Sequence, residues 1–470
     1  MIRLIKKYSL LLFYIFLSVW TSLASTPLIE LFRPPLMLSR IYSALLYVPF
    51  AALILWKLIG DIREFRKNAV NLIYYLFAFY YGILCVYRFA AGMEFKESLY
   101  YSVVLFGSVA LYCQIRDDRL HMDRSLFKAN FTAILIFMSV YKIIASALCV
   151  EWFGLPRLIG NTPINNLYST SMLVLLIPFL LDSMRGDDRK KPTLDWLLLT
   201  VSLILIYLCS SRAIFILATV YFAICALLYC TNKNMLMKTI AAVVCAVLVI
   251  SVLAVMDVGR VRYSLYREIG IFAPNQTMQE PVATDPTEEP GATDPTEEPG
   301  FTGPTGNLNG PLGAEHADIQ IERSDALRSA LMREGLKQVK QNPVFGTGDL
   351  YYTYDLGYMK QNLTSHNFLI ESIVSYGLIG LSMIAALFVA ILLETKILCK
   401  AILTNWKRRL LVLIVMFYYF AFGMVQPSVY NTLLCPLFLL VISHFGFLIE
   451  NTNTDPAVLK ETGLENVAEE

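Results

Sequence analysis

The sequence predicts an all-α integral membrane protein: a bundle of about twelve transmembrane helices, with a large, partly helical extracytoplasmic loop between the ninth and the tenth. Three observations predict this. Of the 470 residues, 56% are hydrophobic and the mean hydropathy is +0.56, which is too apolar for an ordinary soluble domain. Apolar runs of spanning length recur along the chain, and the loops between them alternate in basic charge.

The apolar runs begin near the N-terminus, and the sixth is the shortest. They are roughly Leu10–Ser25, Tyr42–Leu58, Val70–Cys85, Leu99–Cys113, Phe131–Val150, Thr170–Leu181, Trp196–Cys209, Ala213–Cys230, Ile240–Val255, Phe368–Leu392, Leu410–Met424 and Leu433–Leu448. Because about 20 apolar residues cross the hydrocarbon core as a helix, each run is a candidate span.

Basic residues follow every even-numbered run up to the tenth. These residues are Arg63, Arg66, Lys67, Arg116, Arg119, Arg124, Lys128, Arg189, Lys190, Lys191, Lys233, Lys238, Lys396, Lys400, Lys407, Arg408 and Arg409. Since cytoplasmic loops carry the excess of Lys and Arg, these loops and both termini are predicted to be cytoplasmic. The long loop is then extracytoplasmic, and the predicted location is the cytoplasmic membrane.

Composition excludes several other classes. The net charge is only +2, so nothing indicates a nucleic-acid partner. The nine cysteines lie almost all in or beside apolar runs, and their spacing predicts neither a disulfide framework nor a metal site. The sequence has no metal-ligand cluster expected to face outward, so we expect no metal and no cofactor.

The apolar runs and the long loop divide the chain into five parts. These are helices one to five (1–150), helices six to nine (151–256), the extracytoplasmic loop (257–366), helices ten to twelve (367–450) and a cytoplasmic tail (451–470). The loop contains a perfect tandem repeat of Ala-Thr-Asp-Pro-Thr-Glu-Glu-Pro-Gly at Ala283–Gly291 and Ala292–Gly300. Its acidic, proline-rich composition predicts a disordered insert over about 275–318.

The second half of the loop is predicted to be ordered. A weak apolar stripe predicts a helix over Ser324–Asn342, which Asn342-Pro343 ends. The turn Asn-Pro-Val-Phe-Gly-Thr-Gly follows at Asn342–Gly348, and its glycines permit positive φ or a close backbone approach. The tyrosines between this turn and His366 favour an interfacial belt, with stacking on a ligand as the alternative.

The stretch Ser365–Gly380 joins the loop to the tenth run. Thr364 and Ser365 are good helix N-caps, which predicts His366 and Asn367 in the first helical turn. The free N–H groups of that turn can hold an anion and keep His366 neutral as a base. Glu371 lies on the same face as Asn367, where it could orient His366, pair with an arginine or face the interface. The alternative for His366 is a polar residue at a helix end.

Arginines predicted on the outer side are informative, because the charge bias should keep them inside. Arg212 lies in a connection of a few residues between two apolar runs, Arg157 in another outer loop and Arg328 on the loop helix. A guanidinium binds phosphate through a planar fork, so several facing one site could hold a diphosphate. Taken singly, each is a surface charge or a side chain that reaches lipid phosphates.

These motifs resemble a known family. His366-Asn367, a short apolar span and then Gly-Leu-Ile-Gly at Gly377–Gly380 are similar to the signature of the O-antigen ligase and polymerase family. The members are membrane glycosyltransferases that move glycans off a polyprenyl-diphosphate carrier. The turn at Asn342–Gly348 and Ser211-Arg212-Ala213 also resemble family motifs.

The resemblance covers mainly Arg157 to Gly380. Arg157, Gly160 and Asn166 are similar to the family's pattern before a span, and Arg328 stands where the family has an arginine on the loop helix. Two departures put the role of any carboxylate in doubt: Met332 replaces an aromatic residue, and Ser375 replaces an acidic residue before Gly-Leu-Ile-Gly.

The resemblance implies a membrane glycosyltransferase. Since the sequence has no outward metal-ligand cluster and no carboxylate clearly placed as a nucleophile, we expect it to be metal-independent and to invert the anomeric centre in a single displacement. Its donor would be an undecaprenyl-diphosphate-linked glycan and its acceptor a hydroxyl of a glycan or lipid outside the membrane. His366 would take the acceptor proton, and the diphosphate would be held by arginines. The predicted substrate-binding residues are Arg212, Arg328, Arg157, Asn367, Asn166, Gly346, Gly348 and Glu371.

Two other functions fit a polytopic membrane protein. A transporter or flippase for lipid-linked oligosaccharides tends to show repeat symmetry and broken mid-membrane helices, and the sequence indicates neither. A non-catalytic scaffold or sensor would leave the outward arginines without a role. Convergence of His366, Arg212 and Arg328 on one site would favour the enzyme.

Overall fold

The computed structural model describes most of the predicted helices and part of the long loop. The described residues are 8–23, 44–64, 66–93, 95–117, 124–153, 166–185, 192–209, 211–230, 233–256, 328–350, 352–355, 360–394, 406–426 and 428–453. The tandem repeat, Arg157 and the tail beyond 453 therefore lie outside the described residues. The first residues of the predicted loop helix, from Ser324 to residue 327, lie outside them as well.

The described part of the chain is mostly helical. Its helices are α1 (Ser9–Leu23), α2 (Val48–Arg63), α3 (Ala69–Ala90), α4 (Lys96–Arg116), α5 (Arg124–Phe153), α6 (Asn166–Leu175), α7 (Ile177–Arg185), α8 (Pro192–Tyr207), α9 (Arg212–Tyr229), α10 (Lys233–Val255), α11 (328–341), α12 (Phe368–Glu394), α13 (Trp406–Gly423) and α14 (Leu434–Asn453). A short antiparallel hairpin, β1 (Tyr352–Asp355) with β2 (Lys360–Leu363), lies in the tyrosine-rich segment and was not predicted.

Five of the described helices are long and apolar enough to cross a membrane. They are Ala69–Ala90, Lys96–Arg116, Leu126–Ile144, Lys233–Val255 and Phe368–Glu394. Shorter apolar helices surround them, including Ala213–Tyr229 and Leu410–Gly423. The protein is therefore an integral membrane protein, while the predicted count of about twelve spans and the side on which the loop lies stay predictions.

Burial differs sharply between these helices. Helix α4 lies inside the bundle, where Gly107 lets α2 approach so closely that a Cβ would lie 2.6 Å from the Cβ of Phe50. Small residues at helix contacts allow such packing in membranes. Helix α10 instead turns an apolar face outward, with Val247 and Val252 exposed, as expected of a helix that borders lipid.

Ion pairs gather at one end of the bundle. Lys57 on α2 bonds to Asp61 at 2.5 Å, and Arg116 at the end of α4 bonds to Glu394 at the end of α12 at 2.7 Å. Arg66, just after α2, lies 3.7 Å from Asp117, just after α4. The ends of α2, α4 and α12 therefore lie together, as expected from the basic residues that follow all three. The long loop meets α12 at the opposite end.

A glycine breaks α12 near its start. Gly377 has φ 70° and ψ −178°, so its backbone is not helical. The turn Asn342–Gly348 docks against this break: Leu378 N donates to Pro343 O at 2.9 Å, and Gly348 N donates to Val374 O at 2.8 Å. The two glycine-containing motifs of the sequence thus form one joint.

Two side chains from α3 complete the joint. The buried Arg88 donates through Nη2 to Ser375 O at 2.7 Å and to Phe345 O at 3.1 Å. The hydroxyl of Tyr80 donates to Tyr376 O at 2.7 Å. Carbonyl groups freed by the break are thereby satisfied, as backbone groups within a bilayer must be.

We expect Gly377→Ala to destabilise the protein strongly. A Cβ at this position would lie 1.9 Å from Val344 O, and the positive φ is strained for any L side chain. Strain and overpacking together cost about 2–5 kcal/mol. The measurement is the thermal unfolding temperature of the purified protein. The matched control is Gly92→Ala, because Gly92 has φ 66° but an added Cβ would have nothing within 4 Å. Equal losses of unfolding temperature in the two variants would contradict a tight contact between Gly377 and the turn.

Candidate active site

His366 stands just before α12, and Asn367 is the residue that caps this helix. Asn367 Oδ1 accepts from Leu369 N at 3.0 Å and from Ile370 N at 3.3 Å. His366 itself has φ 52°, a left-handed conformation that is uncommon outside glycine. The expected capping by Thr364 or Ser365 is therefore wrong, and His366 lies outside the first turn, because the asparagine oxygen reaches both free amides.

This cap changes how an anion can be held. The expectation was that free N–H groups of the first turn would bind it, but the amide oxygen of Asn367 takes two of them. The nitrogen of the same side chain donates to Met424 O at 3.3 Å, which ties the start of α12 to the end of α13. Asn367 thus has a structural role in this conformation, and side chains are better placed than the helix end to bind a phosphate.

Glu371 is enclosed by the segment that carries His366. Its side chain is fully buried. Oε2 accepts from the Tyr101 hydroxyl at 3.0 Å and Oε1 from the Ser365 hydroxyl at 3.4 Å. The Thr364 hydroxyl and the backbone N–H of His366 also bond to this carboxyl group. Of the three roles considered for Glu371, these contacts favour orientation of His366.

Two stacked aromatic rings pack next to the Glu371 carboxyl group. The ring of Tyr101 on α4 stacks on that of Tyr430, with centroids 4.5 Å apart and planes 12° from parallel. The Tyr430 hydroxyl in turn bonds to Ser372 on α12. The predicted site residues did not include Tyr101 or Tyr430, because apolar runs contain many tyrosines and nothing local distinguishes these two.

The imidazole of His366 is half-buried and has two functional neighbours. Burial lowers its pKa below the ordinary value, the positive charge of Arg328 lowers it further, and a hydrogen bond with Gln426 opposes both. Among the described residues, none gives the buried Nδ1 a hydrogen bond of regular geometry. The ring is therefore held neutral, with a nitrogen free to accept a proton.

Arg328 lies at the first described position of α11, with an exposed side chain. Its charge acts on His366, so the first described turn of the loop helix is close enough to the start of α12 for an electrostatic interaction, as the resemblance implied. Arg333 is further along the same helix, and its Nε bonds to Ser329 O at 3.3 Å. Of these two arginines on the loop helix, Arg328 is the one whose charge acts on His366.

Helix α6, which begins at Asn166, also contacts the surroundings of His366. The hydroxyl of Tyr168 donates to Gln426 Oε1 at 3.2 Å. One residue further on, Ser169 accepts a hydrogen bond from the buried Nζ of Lys142 at 3.2 Å. Cys209, which follows α8, is close enough to act electrostatically on the same ammonium group. Nothing is described of the side chains of Asn166 and Arg212.

Gly346 and Gly348 face protein atoms. A Cβ on Gly346 would lie 2.4 Å from Val374 O, and one on Gly348 would lie 2.8 Å from the guanidinium of Arg88. Both glycines have positive φ. They hold the turn against α12, and a direct contact with substrate stays a prediction. The predicted site residues did not include Arg88, although it follows the third apolar run and the charge alternation therefore places it on the outer side.

No group of three or more His, Cys, Asp or Glu is close enough to hold a metal ion within the described residues. The predicted metal independence rests on the sequence and stays a prediction.

The fold and this site define an integral membrane protein in which a neutral histidine and an arginine from a long loop meet at one end of a helix bundle. Residues 197–385 match the family model described as O-antigen ligase. The match confirms the resemblance to the O-antigen ligase and polymerase family, and it supports glycan transfer of the O-antigen ligase type rather than the transporter alternative. It includes Arg212, Arg328 and His366, whereas Arg157, Asn166 and Gln426 lie outside it. No curated protein matches the chain at a significant level.

Proposed function

We propose that the protein transfers a glycan from an undecaprenyl-diphosphate carrier to an acceptor hydroxyl at the outer face of the cytoplasmic membrane. The observation that carries this proposal is the proximity of Arg328 to a half-buried, neutral His366 inside the matched region. A base next to a phosphate-binding cation suits transfer from a lipid-linked diphosphate. The acceptor is a glycan or a lipid.

In the proposed reaction His366 takes the proton of the acceptor hydroxyl. The acceptor oxygen then attacks the anomeric carbon, and the bond from that carbon to the diphosphate oxygen breaks. The electron pair leaves with the diphosphate, whose developing charge is stabilised by Arg328, Arg212 and Arg157. Since Glu371 is enclosed, it is a poor nucleophile, which favours one displacement with inversion.

The test is a transfer assay with purified protein in liposomes. The donor is an undecaprenyl-diphosphate-linked glycan, offered with a soluble glycan or with a lipid acceptor. We expect a new glycosidic product and equimolar release of undecaprenyl diphosphate. Movement of the donor across the bilayer, without release of the diphosphate, would instead support a flippase and contradict the proposal.

We expect Arg328→Gln to shift the acidic limb of the kcat/KM profile to higher pH. The charge of Arg328 lowers the pKa of His366, so its loss raises that pKa and a higher pH is needed to obtain the neutral base. Loss of a charge-assisted bond to phosphate should also raise KM for the donor about tenfold or more. The control is Arg333→Gln. If only this control variant showed the shift of the pH profile and the higher KM, the assignment of the phosphate contact to Arg328 would be wrong.

A further inference from the structure

Gln426 connects His366 to a helix that is distant in sequence. Its side chain is largely buried and accepts from the Tyr168 hydroxyl at 3.2 Å, and it is the hydrogen-bonding neighbour that acts on the pKa of the His366 imidazole. The amide oxygen of Gln426 has a second lone pair, so it can accept from a ring N–H as well as from the Tyr168 hydroxyl. This agrees with a bond that favours the charged ring and leaves Nδ1 free of a regular bond among the described residues. The three side chains thus form a chain of hydrogen bonds from α6 to the base.

The backbone around Gln426 is anchored independently. Gln426 N donates to Phe422 O at 2.9 Å, which tightens the end of α13. Met424 O in the same turn accepts from Asn367 Nδ2 at 3.3 Å. The ring of Tyr168 meets the edge of the Phe422 ring with centroids 6.0 Å apart. The turn after α13 is therefore held on both the start of α6 and the start of α12.

We propose that Gln426 and Tyr168 are a positioning pair that fixes the imidazole of His366 for proton transfer, an inference that rests on the proposed function. A chain of bonded side chains restricts ring rotation and selects which nitrogen carries a proton. Glu371 fixes the backbone of His366, and this pair fixes its ring. Positioning of the ring would also explain why Gln426 and Tyr168, neither of which is a predicted site residue, are bonded to each other next to His366.

Other groups act on the same imidazole and must be separated from the pair. Arg328 acts from α11 through its charge. Glu371 acts from α12 through the backbone N–H of His366. Tyr168 acts from α6 through Gln426. Substitution of Gln426 changes the side chain that contacts the His366 imidazole, and it leaves Arg328 and Glu371 in place.

The titration of His366 provides a test that needs no substrate. The chain has four histidines, so labelled histidine in the full-length protein gives few NMR signals, and His366→Ala identifies the relevant one. The bond with Gln426 favours the charged ring. We therefore expect Gln426→Leu to move the His366 midpoint to lower pH and Gln426→Glu to move it to higher pH, with a smaller downward shift in Tyr168→Phe.

Turnover is then measured for the same variants. We expect kcat to fall about tenfold or more in Gln426→Leu, a part of the roughly 10²–10⁴ that a positioned base supplies. KM for the donor should stay near the wild-type value. The matched control is Tyr207→Phe, which removes a hydroxyl bonded to Thr219 on an exposed face.

The inference is overturned if both Gln426 variants leave the His366 midpoint unchanged. It is equally overturned if the midpoints move while kcat stays at the wild-type level. If the His366 midpoints shift in the variants but the wild-type protein transfers no glycan, the proposed function is wrong. Failure of the positioning pair and failure of the proposed function are therefore distinguishable.

Discussion

His366→Ala is expected to lower kcat for glycan transfer by about 10²- to 10⁴-fold, the range that a general base supplies. Burial and Arg328 hold the imidazole neutral, so this ring can take the acceptor proton at ordinary pH. The donor should still bind, because its diphosphate is held by arginines, and KM for the donor should change little. The measurement is single-turnover transfer from the lipid-linked donor by purified protein.

Two additional measurements make this result specific. Added imidazole should restore part of the activity of His366→Ala if the missing group is a proton acceptor. His121→Ala is the control, since the charge pattern predicts that this residue lies on the cytoplasmic side. Wild-type kcat in His366→Ala would remove the base from the proposed mechanism.

The features that the sequence predicts well are those with a local cause. The apolar runs and the Asn342-Pro343 stop predict the helices, because length and periodicity determine both. The proximity of Arg328 to His366 was implied by the family resemblance, in which the two residues belong to separate motifs. The cap was assigned to Thr364 and Ser365 because all of these residue types can cap, and only the path of the chain selects Asn367.

The features that were missed depend on contacts across the bundle. Arg88 bonds to carbonyl groups more than 250 positions away, a partnership that no spacing in the sequence reveals. Gly377 reads as part of an apolar run, and its break becomes evident only when the turn at Asn342–Gly348 is placed against it. Gln426 follows α13 with no motif around it, so its contact with His366 required three dimensions.

Glu371→Ala is expected to lower both stability and turnover. The carboxyl group accepts from Tyr101, Ser365, Thr364 and the backbone of His366. Its removal leaves these buried donors without an acceptor, at about 1–3 kcal/mol for each group that finds no substitute. We expect the free energy of unfolding to fall by about 2–5 kcal/mol and kcat to fall about 100-fold as His366 loses its backbone position.

Two milder variants separate position from stability. Tyr101→Phe removes one donor and should cost about 1 kcal/mol with a small loss of kcat. Glu371→Gln keeps an acceptor oxygen but presents an amide N–H₂ group to hydroxyls that donate, so its losses should lie between those of the other two variants. If folded Glu371→Gln and Tyr101→Phe both show wild-type kcat and an unchanged His366 titration, Glu371 does not position the base. The carboxyl group would then serve packing alone, and the left-handed conformation of His366 would need another cause.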